Sequence, residues 1–252
     1  MGVHFSEVAA NFHWPKIKNV TSSIWCCGED ACNNSVINYC DLYAMNALQT
    51  YFQQGIPGSL TYGEYVQLID TLLAAGKTTG SNHSEFYLNY TQLNVRRMNR
   101  VAKTFKVDED LRQLLVAAVP QTWLVLTEAW CGDAAQSLPL MNALAGANPD
   151  IKLRLILRDE HPEIMELYLT DGGKGIPVLI ALNDEGNELF HWGPRPAPAQ
   201  QMVRDYKATP EPKEAYMKFA EKVQLWYLED GGKTFQNEFK TLISTINAAK
   251  LV

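Results

Sequence analysis

The chain has 252 residues, of which 46% are hydrophobic and 20% are charged, and these values are ordinary for a globular protein. Its formal net charge of -6 gives no electrostatic reason to expect nucleic acid or an anionic membrane surface as a partner. No apolar run approaches the roughly 18 residues that a membrane-spanning helix needs. The N-terminal residues lack the basic and then apolar pattern of a secretory signal, so the cytoplasm is the expected compartment.

Residues 1–44 show neither helical nor strand periodicity, which predicts an irregular or disordered extension. We interpret this segment as a loose extension or an over-long gene prediction, with the functional protein beginning near Met45. It contains four of the five cysteines, namely Cys26, Cys27, Cys32 and Cys40. Their spacing lacks the paired hooks of a structural zinc site, so they are interpreted as incidental thiols and no metal is predicted.

Residues 45–103 are predicted to form a helical extension that packs on the domain following it. Apolar residues at helical spacing indicate a first helix over 61–75, and Gly76 is suited to end it. Ser84 is placed to cap a longer helix, whose predicted apolar face carries Phe86, Tyr90 and Leu93. The basic run at 94–100 within that helix is interpreted as a solvated face.

Strand and helix patterns alternate from residue 104 to residue 208. Strands are predicted at 122–127, 151–157, 177–182 and 188–192, and helices at 108–118, 133–146 and 161–169. The order β-α-β-α-β-β favours a small mixed sheet, with parallel strands first and an antiparallel hairpin last. Residues 209–252 are predicted to add C-terminal helices, at 213–228 and 235–246.

Three features occur in order within this alternating segment. The sequence "AWCGDA" at 129–134 joins the first strand to its helix, and Pro139 follows Cys131 by eight residues inside that helix. An Ile-Pro pair, Ile176 and Pro177, precedes the hairpin that ends at Gly193. With these features the chain resembles the thioredoxin superfamily over roughly residues 104–208.

From Met45 onward the chain looks most similar to a bacterial thioredoxin-like family with extra N-terminal helices. The resemblance implies an α/β fold, with a central mixed four-stranded sheet flanked by helices. It also implies a cis peptide bond before Pro177, facing the cysteine, so that the Ile176 backbone is exposed to pair with an extended substrate.

The resemblance makes Cys131 the candidate nucleophile. A helix beginning at Asp133 would direct its unpaired N–H groups toward the sulfur, and such placement can lower a cysteine pKa to about 3.5–7.5. Trp130 and Gly132 flank the thiol, and Trp130 is expected to shield the sulfur. The charge of Asp133 opposes the lowering, although we interpret this residue mainly as a helix N-cap.

Two further positions depart from the pattern of dithiol thioredoxins. Ala134 stands where those proteins have their second cysteine, so this turn cannot close an intramolecular disulfide. Val125 stands where they bury an aspartate that relays a proton. Glu128 is a candidate substitute for that aspartate, but we interpret it first as a solvated loop acid.

The expected function is a monothiol oxidoreductase in which Cys131 attacks protein or small-molecule disulfides and an external reducing thiol resolves the mixed disulfide. No metal or organic cofactor is implied. The alternative is a non-catalytic binding module, which would hold a partner's extended segment in the groove around Trp130, Ile176 and Pro177. Peroxide reduction is disfavoured, because no Thr-x-x-Cys sequence is present.

Overall fold

A computed structural model describes residues 48–249 of the chain. Its centre is a four-stranded mixed sheet with the strand order β2-β1-β3-β4. The pairing of β1 with β2 is parallel, whereas β1 with β3 and β3 with β4 are antiparallel. The strands are β1 (Gln121–Thr127), β2 (Ile151–Leu157), β3 (Val178–Leu182) and β4 (Glu188–Trp192). The predicted α/β thioredoxin-like fold is therefore confirmed. Residues 1–44, with their four cysteines, lie outside the described residues.

Helices cover both faces of this sheet. In chain order they are α1 (Tyr62–Ala74), α2 (Glu85–Thr104), α3 (Glu109–Val116), α4 (Gly132–Ala145), α5 (Pro162–Met165), α6 (Ala197–Ala208), α7 (Tyr216–Asp230) and α8 (Lys233–Ala249). Residues 48–53 are also helical. Within the part of the chain that the structure describes, no helix is long and apolar enough to cross a membrane.

The main core fixes the position of α4, because almost all of this helix is buried. One side of the sheet carries an aromatic cluster in which Phe239 of α8 packs against Trp123 of β1 and Trp192 of β4, with ring centroids 5.5 and 5.8 Å apart. Because packed interiors leave little free volume, α4 has little freedom to shift or rotate. Its first residues are therefore held in a fixed position at the end of β1.

A second, smaller hydrophobic cluster lies apart from the main core. Phe219, Val223 and Tyr227 of α7 are buried in it, against residues of α6. The ring of Phe219 stacks on that of Tyr206, with centroids 4.1 Å apart and planes 11° from parallel. The helices α6 and α7 therefore stabilise one another largely outside the main core.

The buried face of α2 differs from the predicted one. Phe86 and Leu93 are exposed, and the buried positions are Thr91, Asn94, Met98 and Val101. Burial of the polar residues is compensated by hydrogen bonds, as when Asn94 Nδ2 donates to the Ala129 carbonyl at 2.9 Å. The long helix thus braces the turn between β1 and α4 through polar contacts.

The basic run on α2 is likewise not simply a solvated face. Arg97 donates to Asn94 Oδ1 at 2.8 Å, and Arg100 donates to Gln136 Oε1 of α4 at 3.0 Å. Both side chains are partly buried. The solvated-face interpretation is therefore wrong for these two arginines, of which Arg100 links α2 to α4 and Arg97 holds the Asn94 side chain within α2.

Two other elements differ from the sequence prediction. The helix expected at 161–169 is only the short α5, because the chain then enters a tight turn in which Thr170 and Gly173 pair and Asp171 has a positive φ of 51°. The helix α6 was not predicted, since its proline- and alanine-rich start carries no clear apolar periodicity.

Candidate functional site

Cys131 lies at the junction of β1 and α4, where it is the N-cap residue of the helix. The Ala134 N–H donates to its sulfur at 3.5 Å, and the thiol donates to the Ile176 carbonyl at 3.2 Å. The peptide bond between Ile176 and Pro177 is cis. Cys131 is only 8% exposed, so the sulfur is enclosed between the helix start and the Ile-Pro loop.

Gly193, at the end of β4, is packed tightly against this loop. A Cβ atom at Gly193 would lie 2.2 Å from the Pro177 carbonyl oxygen, and the backbone φ of +135° is one that other residues rarely adopt. Only glycine fits this position. It allows the end of the hairpin to approach the loop that contacts the thiol.

Asp133 is not the N-cap, so that interpretation is wrong. Its carboxylate forms an ion pair with Arg195, with Oδ2 and Nη2 2.7 Å apart, and accepts a hydrogen bond from Tyr227 Oη at 3.0 Å. The side chains of Asp133 and Arg195 are only 12% and 19% exposed. The carboxylate therefore joins α4 to the segment after β4 and to α7.

Burial dominates the acidity of the Cys131 thiol. Burial first, and the Asp133 charge second, raise the pKa to about 12. The hydrogen bond from the Ala134 N–H and the charge of Arg195 act in the opposite direction. The lowering of the pKa that is expected at a helix N-terminus is therefore present, but burial and the Asp133 charge outweigh it. The resting sulfur is a protonated thiol.

Glu128 is fully buried, so its interpretation as a solvated loop acid is wrong. Its Oε1 accepts from the Asp159 N–H at 3.0 Å, whereas Oε2 has no hydrogen-bond partner within residues 48–249. Burial is the main cause that raises the pKa of this carboxyl.

Trp130 lies nearby. Its ring is edge-on to that of Tyr87 and lies beneath the Arg158 guanidinium, which is 4.8 Å from the ring centroid.

A cavity of about 450 Å³ opens beside the turn. Its walls come from the start of α4, the segment at 173–175, the Pro194–Arg195 segment, and the facing sides of α6 and α7. Sequence reasoning found the turn, the Ile-Pro pair and the helix at 213–228, but it missed Arg195 and the contact of that helix, α7, with the turn. No local pattern marks them, because they reach the turn only through the folded chain.

A family model described as Thioredoxin matches residues 80–207, about half of the chain. The chain belongs to the thioredoxin family. A crystal structure of a protein of unknown function from Pseudomonas aeruginosa is similar, with 15% identity, a TM-score of 0.41 and coverage of 75% of this chain and 96% of that chain. An HIV epitope-scaffold is similar at 17% identity and a TM-score of 0.38, with the same coverage. No curated protein matches the chain.

Within residues 48–249 this thioredoxin-family chain contains a single thiol. Cys131 is the only cysteine after Met45, and Ala134, where dithiol thioredoxins have their second cysteine, is buried in the first turn of α4. Val125 is likewise fully buried and offers no proton-relay group. Among residues 48–249, no three His, Cys, Asp or Glu side chains are grouped as metal ligands.

Proposed function

We propose that this protein is a thiol–disulfide exchange enzyme that acts through Cys131 alone. The observation that carries the proposal is the position of the sulfur at the start of α4, within hydrogen-bond distance of the Ile176 carbonyl. Membership of the thioredoxin family supports a thiol–disulfide activity in general. The single-thiol mechanism follows from Ala134.

The proposed reaction proceeds in two exchanges. The Cys131 thiolate attacks one sulfur of a disulfide R–S–S–R′, which breaks the S–S bond and releases R′S⁻, and this takes up the proton lost by Cys131. An external thiolate R″S⁻ then attacks the R sulfur of the mixed disulfide and releases Cys131 and R–S–S–R″. The net reaction consumes one external thiol and produces R′SH. A reducing compartment supplies such thiols, and we propose the cytoplasm.

The raised pKa sets the rate of the first exchange. Because burial raises the pKa of Cys131 to about 12, only a very small fraction of the resting sulfur is a thiolate at pH 7. The rate is therefore expected to rise about tenfold per pH unit well beyond the usual cysteine pKa of about 8.5. Contacts that stabilise the thiolate, or that reduce the free-energy cost of burying its charge, are expected to accelerate the reaction.

The test uses the full-length chain with the four N-terminal cysteines replaced by serine, so that Cys131 is the only thiol. Turnover of a disulfide in the presence of an external thiol is compared with that of the same chain carrying Cys131→Ser. We expect all turnover above the uncatalysed rate to disappear. Equal turnover in the two proteins would exclude Cys131 as the nucleophile.

A non-catalytic binding module is the second candidate, and the enclosed thiol favours it. A sulfur that donates a hydrogen bond to Ile176 serves a structural role without ever being deprotonated. This candidate predicts that the Cys131→Ser variant still binds the partner, and that the parent protein shows no thiol–disulfide exchange. Loss of the partner in Cys131→Ser, together with turnover in the parent, would exclude it.

A further inference from the structure

The helix α7 covers one side of the Cys131 turn. A Cβ atom at Gly132 would lie 3.2 Å from Gln224 Nε2, so α7 approaches the turn closely there. Gln136 of α4 donates to Gln224 Oε1 at 2.8 Å, and Tyr227 bonds to Asp133. An extended protein segment laid across this side of the turn would have to displace α7.

What remains open beside the turn is the cavity of about 450 Å³, which we call the turn cavity. This volume lies in the range of about 300–1,000 Å³ that is typical of small-molecule sites. Gly132 and Gly175 line one side, and Tyr206, Tyr216 and Phe219 give the other an aromatic wall. The space suits a small molecule better than a protein strand.

The charged residues of the turn cavity are mostly cationic. Lys174, Arg195 and Lys207 line it, and the only acidic lining residue among those described is Asp133. The Asp133 charge is already paired with Arg195, and Lys174 also pairs with Glu166 at 2.6 Å. Of the three cations, Lys207 is the one that forms no ion pair within residues 48–249, and its charge favours an anion because a positive charge in a cleft raises the local concentration of negatively charged ligands.

We infer that the turn cavity binds small thiols and disulfides that carry a carboxylate, and that these, rather than protein disulfides, are the substrates exchanged by Cys131. The statement about exchange rests on the proposed function. The statement about binding does not, since the walls and charges of the cavity are independent of the sulfur.

Binding is tested in the full-length Cys131→Ser protein, by calorimetry with S-methylglutathione, an anionic thioether that cannot form a disulfide. Ala220, on the cavity side of α7, is replaced by Trp to fill the space, and the exposed neighbouring Glu221 is replaced by Trp as the matched control. We expect saturable binding that Ala220→Trp abolishes and Glu221→Trp retains. Absence of binding, or equal affinity in both variants, would overturn the site.

Charge selectivity is tested through the reaction of Cys131, in the protein with no other thiol, with two aromatic disulfides. Dithiobis(nitrobenzoate) carries two carboxylates, and dithiodipyridine carries none. Lys207→Gln is expected to lower the rate ratio of the anionic to the neutral reagent about 2- to 5-fold. Lys218→Gln, on an exposed position of α7, is the control and should leave the ratio unchanged. An unchanged ratio in Lys207→Gln would contradict the anion preference.

The two proposals fail in different ways. If S-methylglutathione binds but Cys131→Ser leaves disulfide turnover intact, the turn cavity stands and the single-thiol mechanism does not. Suppose instead that turnover depends on Cys131, but that Ala220→Trp lowers the turnover of protein disulfides and of small disulfides equally and only slightly. The mechanism then stands and the substrate class is wrong.

Discussion

The ion pair of Asp133 and Arg195 allows the electrostatics of the thiol to be tested in both directions. Asp133→Asn removes the charge that raises the Cys131 pKa, and Arg195→Gln removes the charge that lowers it. Because both side chains are largely buried, solvent screens them only partly. We expect the Cys131 pKa to fall by about 1 to 2 in Asp133→Asn and to rise by a similar amount in Arg195→Gln, that is, by about 1.4 to 2.7 kcal/mol.

The corresponding change in reaction rate is smaller than the change in thiolate population. A thiolate with a lower pKa is a weaker nucleophile, with a Brønsted coefficient of about 0.4–0.5. Alkylation below the pKa should therefore be about 3- to 16-fold faster in Asp133→Asn and slower by a similar factor in Arg195→Gln. Iodoacetamide reaction rates, measured from pH 7 to pH 11 on protein with Cys131 as its only thiol, give the rate ratios of the variants, and a plateau in the rate within this range would mark a pKa below 11.

The pair of variants controls for structural damage. Each breaks the same ion pair, and each is expected to reduce the free energy of unfolding in urea, by about 3 kcal/mol at most. Loosening of the turn would accelerate alkylation in both, whereas electrostatics shifts the two rates in opposite directions. Equal acceleration in both variants would refute the electrostatic reasoning, and a wild-type pKa below about 8.5 would refute the dominance of burial.

Three other predictions concern the same region. Gly193→Ala should reduce the free energy of unfolding by about 3 kcal/mol or more, because the new Cβ atom meets the Pro177 carbonyl. The control is Gly172→Ala, at a residue with positive φ but open space around it, which should cost about 1 kcal/mol. Similar urea midpoints for the two variants would contradict the close approach of Gly193 to Pro177. The Cys131 thiol has a higher pKa when folded than when unfolded, so it contributes stability that is complete below about pH 8.5 and is lost as pH rises toward 12. Relative to Cys131→Ser, the wild type should lose about 1.4 kcal/mol per pH unit between pH 9 and pH 11, and parallel pH profiles would count against this. Glu128 also has a raised pKa in the folded protein, so from about pH 4.3 upward the wild type should lose stability relative to Glu128→Gln. A difference in the free energy of unfolding that stays constant across pH would show that burial does not raise the pKa of this carboxyl.

Local patterns in the sequence were enough to predict most of the sheet and the thiol turn. The strands β2 and β4 have the predicted bounds, because alternation of apolar residues depends only on neighbours in the chain. The resemblance to thioredoxins, carried in part by the spacing of Cys131 and Pro139, placed the cysteine before a helix that contains the proline, and the structure has this arrangement.

Contacts between distant parts of the chain could not be predicted in this way. Asp133 meets Arg195 and Tyr227, which belong to segments far along the chain, and no periodicity or spacing marks such a pairing. The acidity of Cys131 could not be decided from the sequence for the same reason, since the helix N-terminus and Asp133 are visible in the sequence but the burial of the sulfur is not. On α2, Asn94 is buried because a carbonyl needs a donor, which a hydrophobicity pattern cannot show.

The separate cluster of α6 and α7 has a consequence for hydrogen exchange. A helix held by a few buried side chains and by polar contacts opens locally at a lower free energy than one enclosed in the main core. Backbone amides of α7 should therefore exchange with deuterium faster than those of α4. A molecule filling the turn cavity touches Tyr216 and Phe219 of α7 and adds its binding free energy to the closed state. Slower exchange confined to α6 and α7 would thus locate an occupant of the cavity before its chemical identity is known.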